Sequence, residues 1–160
     1  MHPKELKQLI MARTRTTNCT KAKIIKWFDT LTKPHKRLDG LPICPYLQKY
    51  KDNVMVIRNK DPEKLANNFA LQKDIFRLQA MVVFGFWMSW DKMEKMVDRI
   101  NKKLKKQDVC CFMMHPDGDE DVLPVHYDMD LPLLIVQRIS TLNEAKKKLK
   151  ANTNYYKHYK

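Results

Sequence analysis

Four polar side chains stand where this sequence could do chemistry: Cys44, His115, Asp117 and Arg138. Cys44 lies between prolines in the stretch Gly40-Leu41-Pro42-Ile43-Cys44-Pro45-Tyr46. A loop thiol acts as a nucleophile or redox group when cations help it ionise, and Lys36, Arg37 and Lys49 are near in sequence. It equally serves as a small apolar residue pinning the loop to the core. His115 directly follows the apolar run Val109 to Met114, which puts the imidazole at a strand end, where a general base or ligand is useful. The plainer role there is a ring hydrogen-bonded to a turn. Asp117 is placed to orient that ring, and Cys44 within reach would complete a Cys–His pair. Arg138 closes a second apolar run, Leu131 to Val136, after Gln137. Its planar fork suits an anion or carboxylate, or an acid of the chain such as Asp117 or Glu144. Taken together, the expectation is a thiol-dependent site on a small anionic substrate: Cys44 attacking, His115 as base, Arg138 holding the anionic group. Whether the chain is an enzyme stays open.

Other chemistry fails on spacing. Asp117, Asp119 and Asp121 alternate as in a calcium loop, but Val122 stands where glycine is required and Asp128 replaces the bidentate glutamate. His115 and His126 are too loosely spaced to indicate a metal. The cysteines Cys19, Cys44, Cys110 and Cys111 include no Cys-x-x-Cys pair. Cys110 and Cys111 are neighbours on a strand and point to opposite faces, so disulfides are not expected. No metal or cofactor is expected.

The elements that must position these groups follow from pattern. Thr20 caps a helix to Leu31 that buries Ile24, Trp27, Phe28 and Leu31. A loop punctuated by Pro34, Gly40, Pro42 and Pro45 follows. Val54 to Arg58 reads as a strand, and Asp61-Pro62-Glu63 as a helix start. That helix buries Leu65, Phe69 and Phe76 and ends near Gln79. Met81 to Trp87 is continuously apolar, the pattern of a strand covered on both faces. Ser89 caps a helix carrying Met93, Met96, Val97, Ile100 and Leu104, with Trp87 and Trp90 covering it. Val109 to Met114 and Leu133 to Arg138 are the third and fourth strands, and Thr141-Leu142-Asn143-Glu144 forms a capping box for the last helix. Strand–helix–strand units make the first three strands parallel. The fourth, after a loop without a helix, is expected antiparallel. The fold class is α/β, with α+β as the alternative: a small mixed four-stranded sheet with helices packed on it. Residues 1–160 read as one domain, with an N-terminal arm over 1–20 and a basic, fraying tail over 151–160.

The chain has 160 residues, a net charge of +13 and 44% hydrophobic residues, the composition of a folded protein with a basic surface. Its basic residues are mostly lysine, with scarce glycine, a bias that fits an AT-rich genome. Base-reading proteins favour arginine, whose fork grips guanine. Lysine excess supports at most a non-specific nucleic-acid binder, working through Lys102, Lys103, Lys105, Lys106, Lys146, Lys147 and Lys148. That non-enzymatic basic protein is the rival reading, beside a structural partner protein that buries Met and Trp surface. No membrane span or secretory leader is expected, which points to the cytoplasm. The oligomeric state is open.

Three segments resemble an uncharacterised bacterial family of domains of unknown function. That family carries a Gly-Leu…Cys-Pro-Phe-Ala element, a strand ending in His-Pro-Asp-Tyr, and Pro-x-Leu-x-Leu-Leu-Arg before a last helix. The matching pieces are Gly40 to Tyr46, Phe112 to Asp117, and Pro132 to Arg138, within about residues 24 to 146. Tyr46 replaces the phenylalanine, Gly118 replaces the tyrosine, and an Asn-Arg-Ser-Pro segment is missing near Met129. The resemblance singles out Cys44, His115 and Arg138 and names no reaction.

Overall fold

The computed structural model describes residues 2–6, 17–38, 40–42, 44, 47, 51–72, 78–118 and 127–153. The element order matches the sequence pattern: α1 (Lys21–Thr32), β1 (Val54–Arg58), α2 (Pro62–Leu71), β2 (Ala80–Phe84), α3 (Trp90–Leu104), β3 (Val109–Met114), β4 (Leu133–Arg138) and α4 (Ile139–Asn152). The helix starts are set by the expected caps. The Thr20 side chain accepts from the Lys23 amide at 3.2 Å, Asp61 from Lys64 at 3.1 Å, and Ser89 from Lys92 at 3.5 Å. Each gives one orphan amide of a first turn a partner. Glu63, in the first turn of α2, also receives both guanidinium arms of Arg99 from α3 at 2.9 Å, tying the two helices together.

The four strands form one mixed sheet in the order β1-β2-β4-β3, with helices packed against it, an α/β fold. β1 pairs parallel with β2, while β4 runs antiparallel to both of its neighbours, β2 and β3. The first three strands therefore share a direction and the fourth opposes them, as expected. What local pattern does not carry is the order: β4 inserts between β2 and β3, so β3 becomes an edge. The backbone of that edge meets α3 through Asn101, whose side-chain amide accepts from the Cys111 N–H at 2.7 Å and donates to its carbonyl at 3.2 Å. An open strand edge is a template for unwanted pairing, and this contact closes part of it.

Alternation along the strands sends side chains to two faces. Met81, Val83, Leu134, Val136, Val109 and Cys111 pack with Phe69 of α2 and with Met93, Met96 and Ile100 of α3. Val82, Phe84 and Leu133 face the other way, against Ile24, Trp27 and Leu31 of α1, with Leu149 of α4 at the margin. Both layers are apolar because both faces are covered, which is why β2 reads as an unbroken apolar run. Cys19 is fully buried in the second layer, so the end of the expected N-terminal arm belongs to the core. At the other terminus α4 continues through Ala151 and Asn152, into the segment expected to fray, and residues 154–160 lie outside the described set.

Two local expectations are corrected. α2 ends at Leu71 rather than near Gln79, and Phe76 falls outside the described residues. α4 starts at Ile139, so Thr141 lies inside its first turn and makes no capping box. Its amides are met instead by Asp108, which precedes β3. The Asp108 carbonyl accepts from the Ile139 N–H at 3.0 Å and its carboxylate from the Ser140 N–H at 2.7 Å, with the Ser140 hydroxyl donating to the second oxygen. Asp108 adopts a left-handed backbone, φ 62°, a conformation that aspartate tolerates better than most residues. A negative charge at a helix N-terminus is also favoured by the helix dipole.

Candidate functional site

The four expected site residues divide into two groups. His115 and Asp117 come together at the end of β3, as a strand end followed by a tight turn requires. The His115 side chain is buried, with Nδ1 accepting from the Asp117 amide at 3.0 Å and Nε2 2.8 Å from the Met88 carbonyl oxygen. A carbonyl only accepts, so Nε2 carries the proton and the ring is neutral. Trp87 and Trp90 flank it, with ring centroids 5.1 and 5.6 Å from the imidazole. The two tryptophans thus clasp this histidine. Burial holds its pKa below the ordinary 6.5, outweighing the Met88 carbonyl and the Asp117 charge, which act in the opposite sense. The Asp117 carboxylate is 3.9 Å from Nδ1 and pairs with Lys4 from the N-terminal segment. Both ring nitrogens are engaged in local hydrogen bonds, the arrangement of a histidine that fixes a turn. Asp119, Asp121 and His126 lie outside the described residues; among those described, no group of three potential ligands gathers to hold a metal.

Cys44 and Arg138 belong elsewhere, to a cavity of about 240 Å³ between α1, α4 and the second face of the sheet. The loop after α1 doubles back through a bridge between Pro34 and Pro42, and the Cys44 N–H donates to the Leu31 carbonyl at 2.9 Å. That carbonyl sits in the last turn of α1, where no intrahelical donor remains for it, so the loop must come to this point. The cavity wall from α1 is Trp27, Phe28 and Leu31; the wall from α4 is Leu142 and Ala145. Val54, Val82, Met114 and Ile135 make the floor. His115 is not among its walls, although Met114 beside it is, so the cavity presents the thiol without the imidazole.

Polar groups cluster where β2 begins and β4 ends: Gln79, Gln137, Thr141 and Arg138. The Thr141 hydroxyl donates to Gln79 Oε1 at 2.8 Å. The Arg138 guanidinium reaches toward the C-terminal end of α2. It donates to the carbonyls of Phe69 at 3.1 Å and Gln72 at 3.3 Å, and lies 4.4 Å above the Phe69 ring. A cation at a helix C-terminus, stacked on an aromatic face, is favoured twice over. Arg138 thus takes backbone carbonyls, not the acids Asp117 or Glu144, as partners.

Burial raises the other three thiols: Cys19 and Cys111 to about 12, and Cys110 in the same direction despite nearby Lys146. Among these cysteines Cys44 alone lines the cavity. Pattern reading singled out Cys44 and Arg138 but missed Trp27, Phe28, Gln79 and Thr141. Apolar positions at helical spacing mark a buried face, and nothing in that spacing separates a packed face from the wall of a hollow.

The lysines named above are all exposed. Lys102 and Lys103 end α3, Lys105 and Lys106 follow in a 3-10 turn, and Lys146, Lys147 and Lys148 lie on α4. Lys148 pairs with Glu144 at 3.0 Å. No described helix is long and apolar enough to cross a membrane.

No family model, no curated protein and no solved structure matches the chain.

Proposed function

We propose that this protein binds a small, largely apolar molecule between α1, α4 and the sheet, with the Cys44 thiol against the bound molecule. The cavity itself carries this reading: about 240 Å³, walled by aliphatic and aromatic side chains with a few polar groups at one end. Small-molecule sites have that makeup, an apolar body with a few polar groups that fix orientation. A cavity of about 150 Å³ accommodates benzene, so this one has room for a ring with a short substituent. The thiol is the one nucleophile among the wall residues; a Cys–His reaction is not part of the proposal, because the imidazole hydrogen-bonds its own turn. An anionic substrate group is not part of it either, since the guanidinium is directed to the end of α2.

The test uses isopropylbenzene as a plain hydrocarbon probe. At saturation it slows iodoacetamide alkylation of Cys44, read by mass spectrometry, and leaves Cys110 unchanged. Ala145→Phe fills the cavity from the α4 side and removes that protection. Unchanged alkylation of Cys44 with the probe present would defeat the proposal.

A further inference from the structure

Trp27 is a wall of this cavity, and its indole nitrogen has no hydrogen-bond partner. Nε1 is the one buried side-chain nitrogen or oxygen among the described residues without such a partner. The residue is 7% exposed. Tryptophan N–H groups in protein interiors normally find an acceptor, because removing a donor from water without replacing its bond is costly. Packing accounts for the ring but not for its N–H. Tyr127 meets the indole edge-on at 5.6 Å between centroids, and Phe28 lies against it at 6.1 Å. The Tyr127 hydroxyl, an apparent candidate acceptor, is itself committed as a donor to the Leu131 carbonyl at 2.5 Å. An indole fixed by two aromatic neighbours and set in the wall of a cavity is a fixed donor facing whatever fills that space.

Resting on the binding reading above, we infer that the ligand is an apolar molecule bearing a hydrogen-bond acceptor, a carbonyl-type oxygen, which takes the Trp27 Nε1–H. The other polar wall residues are consistent with a ligand of mixed character, since Gln79 and Thr141 already bond each other and leave the indole as the unclaimed donor. The acceptor fixes the orientation of the ligand, and the aliphatic floor takes its hydrocarbon part.

Acetophenone and isopropylbenzene test this, because they share size and shape and differ in the carbonyl. Both are titrated into the full chain with 15N-labelled tryptophan, following the indole N–H resonances; Trp27→Phe identifies that of Trp27. Acetophenone shifts the Trp27 indole proton downfield, and isopropylbenzene does not. In Trp27→Phe, with its fold checked by circular dichroism, acetophenone binds about three- to tenfold more weakly, the worth of one hydrogen bond. Isopropylbenzene binds the variant within about twofold of the native protein, since an apolar ring is retained. If both probes bind but the Trp27 resonance responds alike to each, the inference fails and the cavity reading survives. If neither probe binds the native protein, both fail.

Discussion

His115 shows how a residue with catalytic potential can be committed to structure. Its two nitrogens bond to Met88 and to the Asp117 amide only in the neutral state, because protonation of Nδ1 removes the acceptor that the Asp117 N–H needs. With the folded pKa below the ordinary 6.5, the unfolded chain takes up this proton first as pH falls. Its stabilising contribution is therefore complete above about pH 6.5 and is lost on acidification through the lower folded value. Urea unfolding between pH 8 and pH 5 should show this loss, and His115→Gln should flatten that part of the profile while lowering stability at pH 8. A second residue-scale expectation concerns the thiols. Iodoacetamide at neutral pH should modify Cys44 faster than Cys19, Cys110 or Cys111, since burial keeps those three protonated. Equal rates for Cys44 and Cys110 in the folded protein would remove the thiol from the proposed site.

At the scale of elements, the best-read features were those with a local cause. Thr20, Asp61 and Ser89 announce their helices because a cap bonds amides two or three residues away. The start of α4 was misplaced for the opposite reason: its cap, Asp108, lies 32 residues before Ser140 in the chain. No window on the sequence joins them. The same limit hid the cavity, whose walls come from α1, α4 and the strands, and it hid the partner of Arg138, a carbonyl 69 residues away in α2. Cys44 and Arg138 were visible as unusual residues; what they face was not. Asp108→Ala should cost about 2 kcal/mol by denaturant unfolding, through loss of the cap and strain at a left-handed φ. Asp108→Asn should lose less, since asparagine tolerates the same backbone and still accepts a hydrogen bond.

Over the whole molecule, the net charge of +13 must be set against where the lysines stand. The group ending α3 and the group on α4 are separate exposed surfaces of different helices, and neither is a strip of arginines reaching for base edges. Any binding to nucleic acid should therefore act through counterion release, falling by orders of magnitude between about 50 and 200 mM salt. Replacing Lys146, Lys147 and Lys148 with glutamine should weaken all sequences alike. Fluorescence anisotropy with two unrelated duplexes over a salt series reads both effects, and a sequence preference persisting at physiological salt would contradict them.

The central place of β4 bears on how the chain is made. During synthesis the ribosome releases β1, β2 and β3 before Leu133 emerges, and of the three native ladders only that between β1 and β2 can then form. β3 has no sheet neighbour until β4 arrives, and the β4-facing edge of β2 stays open as well. Completing the sheet is thus a late event that joins segments distant in sequence, the kind of closure that folds slowly. A chain stalled before residue 133 would hold two unpaired apolar strands, Met81 to Phe84 and Val109 to Met114, in reach of other nascent chains. Arrival of the last strand and helix would cover both and complete the cavity in the same step.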